Sequence, residues 1–336
     1  MVSEEPDQGI RRDVVVIGAS AGGIEALRRL VGALPHDLPA AVCVVLHMSA
    51  SSPSALSGIL ARAGTLPSRQ AQDGDRLVPG EILVAPPDHH LIVEQDQVRL
   101  TVGPRENNHR PSVDALFRSA AESARGRVVG VVLSGMRDDG AAGLAVIKAN
   151  GGLALVQDPQ EALHPGMPQS AIANVAVDAV LPCEELAEAI ADAAWGGPRP
   201  PALPEGPPGV VPGSDLTIVC PECGGVLSER KEAGVPRWAC HVGHLYSPSS
   251  LNIAQGTEVE RALWTAMRML RDRAALLRRM ADHARSRGQD RIEQSFLDRA
   301  VDADEHADSV KAVLQVSTPS ALGDVAEPAV EENDAA

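Results

Sequence analysis

Aromatic residues are scarce in this 336-residue chain: they make up 2% of it, and Phe117, Phe296 and Tyr246 are the only phenyl rings. A core built on stacked rings is excluded, so the 44% hydrophobic content must pack as aliphatic side chains. Apolar runs of about 18 residues, the length needed to cross a bilayer, are missing. So is the basic, apolar start of a signal peptide, because Met1-Val2-Ser3-Glu4-Glu5-Pro6-Asp7 is acidic. No membrane insertion is expected. Positive charge is outnumbered too: 30 basic against 45 acidic side chains leave a net charge of −15. That field repels nucleic acid, which is not expected as a partner. The five cysteines cannot frame a disulfide scaffold when three fall between 220 and 240. Metal ligation in a reducing compartment fits them better, and a cytoplasmic location is expected.

What the chain does have begins at Val14-Val15-Val16-Ile17-Gly18-Ala19-Ser20-Ala21-Gly22-Gly23. A continuous β-branched run reads as a strand buried on both faces. The glycines allow a tight turn, and Ile24 to Val31 follows at helical spacing. Ser20 therefore sits in a strand–turn–helix, at the carboxyl end of a strand where open α/β sheets bind ligands. Three readings compete. Ser20 could simply cap the helix. A dinucleotide site fits poorly, since Ser20 replaces the second glycine and the next strand ends in Leu46-His47 rather than an acid. A nucleophile elbow fits Gly18-x-Ser20-x-Gly22, provided a base and an acid lie nearby.

Further strands are expected at 41–46, 80–85, 127–133 and 153–157, with a hairpin at 91–102 turning on Gln95-Asp96. Helices are expected at 54–63, from 112 and over 141–150. Strands alternating with helices give an α/β domain, doubly wound around a mainly parallel sheet with helices on both faces. Three strand ends in this domain carry reactive groups: Ser20 after 14–17, His47 after 41–46 and Asp139 after 127–133. Parallel strands would gather them at one sheet edge as the parts of an acyl-transfer triad. Each has a duller explanation alone, as a cap or a surface histidine. Together they favour nucleophile, base and orienting acid. The order Ser…His…Asp disfavours an ordinary α/β-hydrolase, where the acid precedes the histidine.

Gly18-Ala19-Ser20-Ala21-Gly22-Gly23, Val45-Leu46-His47-Met48, Arg110-Pro111-Ser112-Val113-Asp114 and Leu133 to Ala141 together resemble the chemotaxis protein-glutamate methylesterases, the CheB-type catalytic domain. Gln157-Asp158 and Gly166-Met167-Pro168 lie where that family has similar loops. The resemblance covers about 12–193. It implies hydrolysis of glutamate γ-methyl esters on chemoreceptor-type signalling proteins, releasing methanol, with deamidation of glutamines as a second activity. It places the nucleophile on Ser20, the base on His47, the acid on Asp139 and part of the oxyanion hole on the backbone amide of Met136. No cofactor is implied for this chemistry. Ala21 stands where the family commonly has threonine, and Arg137 where it usually has glycine, so an altered rate or substrate preference is expected. Well-known members carry an N-terminal receiver domain. Only about a dozen residues precede the first strand here, so control by phosphorylation in cis is not expected, and a regulator protein acting in trans is expected as a partner instead.

Cys220-Pro221-Glu222-Cys223, followed by Cys240-His241-Val242-Gly243-His244, supplies a C-x2-C knuckle and a second pair at zinc-binding spacing. Cys220, Cys223, Cys240 and His244 are the expected ligands of a structural zinc, with His241 the alternative to His244. The module resembles the zinc-ribbon extension of some stand-alone relatives. The division expected is 1–11 disordered, 12–195 catalytic, 196–213 a Pro/Gly-rich linker, 214–250 zinc ribbon, 251–316 helical hairpin and 317–336 acidic disordered tail. The hairpin's apolar stripe would be Leu263, Met267, Leu270, Leu277 and Met280 against Phe296, Leu297, Val301, Val310 and Leu314. Two rivals remain: a non-enzymatic signalling adaptor, and an esterase or amidase for another substrate.

Overall fold

The computed structural model describes residues 11–48, 55–197 and 218–316. The expected N-terminal segment up to residue 10, the loop at 49–54, the linker from 198 and the tail from 317 lie outside the described residues.

Seven parallel strands form the main sheet: β1 (Val14–Ala19), β2 (Ala41–Leu46), β3 (Ser68–Gln70), β4 (Ile82–Val84), β7 (Val128–Val132), β8 (Leu153–Gln157) and β9 (Ala179–Leu181). Their spatial order is β3-β4-β2-β1-β7-β8-β9, and every neighbouring pair is parallel. β1 lies at the centre because all six of its residues are buried and apolar or small. Between the main strands, β5 (His90–Glu94) and β6 (Gln97–Thr101) form the expected hairpin.

Among the described residues, six α-helices cover the sheet: α1 (Gly23–Ala33), α2 (Leu56–Ala63), α3 (Val113–Ala124), α4 (Ala141–Ala149), α5 (Gly166–Asn174) and α6 (Cys183–Ala194). Side chains alternate across each strand, so one sheet yields two cores. Val15, Ile17, Val42, Val44, Val129 and Val131 meet Leu27 and Leu30 of α1, Leu60 of α2 and Ile190 of α6. Val14, Val16, Cys43, Val45, Val128 and Val132 meet Phe117 of α3, Leu144 and Ile147 of α4 and Met167 of α5. Each fully buried aliphatic side chain contributes about 1.5–3 kcal/mol. The absence of aromatic bulk is met by this number of small contacts.

The edge strands β3 and β9 and the helices α5 and α6 go beyond the expected elements. Ser68-Arg69-Gln70 is polar and only three residues long, and it pairs on one side alone, so no apolar run announces it.

A second, antiparallel sheet comprises β10 (Leu227–Glu232), β11 (Val235–Cys240) and β12 (Leu245–Tyr246). The chain forms two compact units, and the first runs to Ile253, taking in both this small sheet and the main one. The long helix α7 (Pro248–Ser286) starts inside the stretch expected as zinc ribbon, and α8 (Asp290–Val316) follows it. In the second unit, the seam between the two helices is built largely on alanine. Ala274, Leu277, Ala281 and Ala284 are buried on α7, and Ala300, Ala303, Ala307 and Leu314 on α8. Met280 and Val301, expected in that seam, are exposed at 41% and 53%. Small residues let the helices approach closely, with Leu277 and Leu314 buried among them and Leu263, Met267, Leu270, Phe296, Leu297 and Val310 half-buried. Arg278 pairs with Asp304, and Arg285 with Glu293 at 2.6 Å, across the two helices.

Candidate active site

β1 is the topological switch point of the sheet, with β2 on one side and β7 on the other, where parallel α/β folds open a crevice. Ser20 leaves the end of β1, His47 the end of β2, and Asp139 lies in the loop between β7 and α4. The structure brings the three together. Ser20 Oγ is 3.1 Å from His47 Nδ1, and His47 Nε2 is 2.7 Å from Asp139 Oδ2. A carboxylate only accepts, so Nε2 carries the hydrogen and Nδ1 turns its lone pair on the serine hydroxyl. That is the tautomer a general base requires.

The turn that presents Ser20 is set by backbone contacts. Ser20 N–H donates to the Ser134 carbonyl at 2.9 Å, Gly23 N–H donates to the Ser20 carbonyl at 2.8 Å, and Gly22 takes φ 72°, which favours glycine. Gly135 lies directly against the serine: a Cβ there would come within 2.8 Å of Ser20 Cβ and 2.1 Å of Met167 Sδ. The next residue, Met136, is half exposed, and its backbone N–H donates to no other described group.

Asp139 is 2% exposed and collects more donors than any sequence pattern announced. Its Oδ2 accepts from His47 and from Val113 N–H at 2.8 Å. Its Oδ1 accepts from Asn107 Nδ2 at 2.8 Å, Ser112 Oγ at 3.0 Å and Asp114 N–H at 3.1 Å. Two of these are free amides at the N-terminus of α3, where backbone donors and the helix dipole favour an anion. Burial opposes the charge on Asp139. The bond from His47 and the helix amides outweigh it and hold the carboxyl well below its usual range.

His109 stacks on His47, with ring centroids 3.7 Å apart and planes within 9°. Burial first, then the neighbouring His47, pushes His109 down to about 3, so it is an uncharged wall against the base. Asp114, 0% exposed, accepts from the Gly140 and Gly143 amides at 3.0 and 2.7 Å, tying α3 to the start of α4. Asn107, Ser112, Asp114 and His109 escaped sequence reasoning as site residues. The Arg110-to-Asp114 run was the one signal present, and it gave no role to any of them.

The four expected metal ligands also meet. One donor atom each from Cys220, Cys223, Cys240 and His244 lies within 4.8 Å of the others. His244 Nδ1 faces the sulfurs, 3.7 Å from Cys220 and 3.5 Å from Cys240, while its Nε2 is 3.1 Å from a Glu222 oxygen. A carboxylate on the far imidazole nitrogen is how a metal-ligating histidine is normally oriented. His241 is exposed and packs against Gly225, where an added Cβ would meet its ring at 2.6 Å. Three thiolates and an imidazole match a closed tetrahedral zinc site.

Ser, His and Asp in hydrogen-bonding sequence at the switch point of a parallel sheet give this domain the architecture of an α/β serine hydrolase. Residues 15–190 match the CheB methylesterase family, and the chain belongs to it. It is 40% identical over 177 residues to a Leptospira interrogans protein provisionally named protein-glutamate methylesterase/protein-glutamine glutaminase, covering 52% of this chain and 92% of that one. A similarly named protein of Anaeromyxobacter dehalogenans is 43% identical over 185 residues, covering 55% of this chain and 54% of its own. The chain thus spans about half the length of that relative. The crystal structure of the Thermotoga maritima CheB methylesterase catalytic domain superposes with a TM-score of 0.52 at 33% identity, over 55% of this chain and 99% of that one.

Proposed function

We propose that the chain is a protein-glutamate methylesterase acting through Ser20, His47 and Asp139. One observation carries this reading: the unbroken hydrogen-bond line from Ser20 Oγ through His47 to a carboxylate held ionised by five donors. Ser20 Oγ attacks the γ-carbonyl carbon of a glutamyl methyl ester, and its proton passes to His47 Nδ1. The Met136 N–H meets the negative charge on the carbonyl oxygen, a contact worth about 3 kcal/mol in the transition state. Collapse breaks the bond to the methoxy oxygen, which leaves as methanol with the proton from His47. Water then attacks the glutamyl-Ser20 ester, again giving a proton to Nδ1. The glutamate carboxylate departs and Ser20 is regenerated. On a glutamine side chain the same steps release ammonia.

The substrate in this reading is a methylated chemoreceptor or related signalling protein, met in the cytoplasm, with a regulator acting in trans. No described helix is long and apolar enough to cross a membrane. Cys220, Cys223, Cys240 and His244 hold a structural zinc that takes no part in the ester chemistry. The segment 196–213 serves as linker, and 251–316 as a helical arm.

The test is methanol release from a methylated receptor fragment. Ser20→Ala and His47→Ala should each lower kcat by about 10³-fold or more. Wild type that hydrolyses simple esters through Ser20 but frees no methanol would overturn the substrate. Wild type that does neither would leave the adaptor reading.

A further inference from the structure

The small sheet reaches into the support of Asp139. Arg237 lies on β11, three residues before Cys240, and is 1% exposed. Its Nη1 donates to Asp114 Oδ2 at 2.6 Å. The same Asp114 oxygen accepts from Asn107 Nδ2 at 2.8 Å, and that nitrogen also donates to Asp139 Oδ1 at 2.8 Å. One amide thus bridges two buried carboxylates. Its orientation is fixed from behind, because Asn107 Oδ1 accepts from Ser247 N–H at 3.0 Å and Ser250 Oγ at 3.3 Å. The Asn107 backbone N–H donates to the Leu245 carbonyl at 2.8 Å, beside His244.

Two carboxylates sharing one amide repel when both are charged: burial and the neighbouring Asp139 push Asp114 up, to about 7, and Arg237 opposes that shift. Glu106 and Glu232 do not relieve it: both are acidic, each lies 3.8 Å from Arg237, and Arg118 binds them at 2.5 and 3.0 Å. Arg237 is the cation whose nitrogen touches Asp114. Without it, Asp114 must take a proton or turn away. Either change alters what Asn107 and the Gly140 and Gly143 amides, next to the acid, can donate to.

We propose that Arg237, supplied by the zinc-site sheet, is a positioning residue for the esterase, fixing Asp139 through Asp114 and Asn107. This rests on the reading of Ser20, His47 and Asp139 as the catalytic triad. Arg237 touches neither Ser20 nor His47 and would act solely through how the acid is held. The small sheet is then part of the working enzyme, not an appendage beside it.

The full-length chain tests it with a simple acetyl ester, which reports the triad whatever the receptor substrate is. The second readout is the downfield proton resonance of His47 Nε2–H, which senses the bond to Asp139 directly. Arg237→Met should lower kcat about 10- to 100-fold with KM within about twofold, and shift or broaden the resonance. Arg237→Lys, which keeps the charge, should recover most of both. Arg69→Met removes a comparable two-carboxylate clamp, on Asp75 and Glu81 at the β3 edge of the main sheet, and should leave kcat and the resonance unchanged. Where Arg237→Met does not fold, Asp114→Asn breaks the same contact from the other side, keeps an acceptor for the two glycine amides, and should move both readouts the same way. A folded variant of either kind with kcat and resonance at wild-type values overturns the proposal. So does Arg69→Met reproducing the effects of Arg237→Met. A Ser20→Ala enzyme that keeps its esterase rate instead sinks the triad reading, and that outcome is visible before any Arg237 variant is made.

Discussion

His47 is pressed on one face by His109, and the two imidazoles meet a common problem. Two stacked rings within 3.7 Å cannot both be cationic at low cost. Burial and His47 settle it by pushing His109 down to about 3 from an ordinary 6.5. The sign of the pH dependence follows. Between those two values the unfolded chain binds a proton at residue 109 that the folded chain refuses, so stability falls as pH drops through 6.5 toward 3. His109→Phe keeps a flat ring against His47 and removes the titration. Urea unfolding at pH 7.5 and pH 4.5 should show a smaller acid loss in the variant than in wild type. An equal loss in both would mean that residue 109 does not carry a linked proton. Asp139 loses its contribution at lower pH still, since its carboxyl is held below its usual range.

At the scale of elements, the site depends on how closely α3 approaches β1. Gly18 makes the approach possible: a Cβ there would fall 2.1 Å from Val113 Cγ1 and 2.7 Å from Cγ2. Val113 is the first residue of α3, and its N–H donates to Asp139. Gly18→Ala should therefore do two things at once. It should cost about 1–3 kcal/mol by overpacking, and it should slow the esterase by moving the helix end off the acid. Gly18→Ala combined with Val113→Ala frees the space and should restore both. Denaturant melts and ester hydrolysis on the three proteins decide it; a double variant as impaired as the single would place the fault in the turn itself. The same pair shows what was legible in the sequence. The central strands and the three strand-end residues stood out, because continuous β-branched runs and reactive groups at their ends are local patterns. The shell around Asp139 did not. Asn107, Ser112 and Asp114 look like ordinary loop and cap residues until α3 docks, and Arg237 joins Asp114 from 123 positions away. Contacts made by polar residues across such separations leave no periodicity to read.

At the scale of the whole first unit, a small sheet with a short apolar inventory has to be explained. β10 carries Leu227 as its one buried side chain, and β12 is two residues long, too little to stand without a staple. Cys220, Cys223, Cys240 and His244 converge within 4.8 Å and supply one. Zinc bound there would be folding energy for residues 218–250, and it would also hold Arg237 and the Leu245–Ser247 segment against Asn107 and Asp114. Purified protein should contain one zinc per chain, and a strong chelator should release it with loss of protection from hydrogen exchange in β10 to β12. Cys223→Ser should give the same local loss at lower chelator concentration, while the main sheet, with its own two cores, keeps its protection. Esterase activity should fall in step with the zinc, and restoring the metal should restore it, since Ser20 and His47 themselves are left in place. Protection lost without any change in esterase rate would uncouple the small sheet from the acid; a metal-free protein with β10 to β12 fully protected would show that the sheet stands on its ion pairs instead.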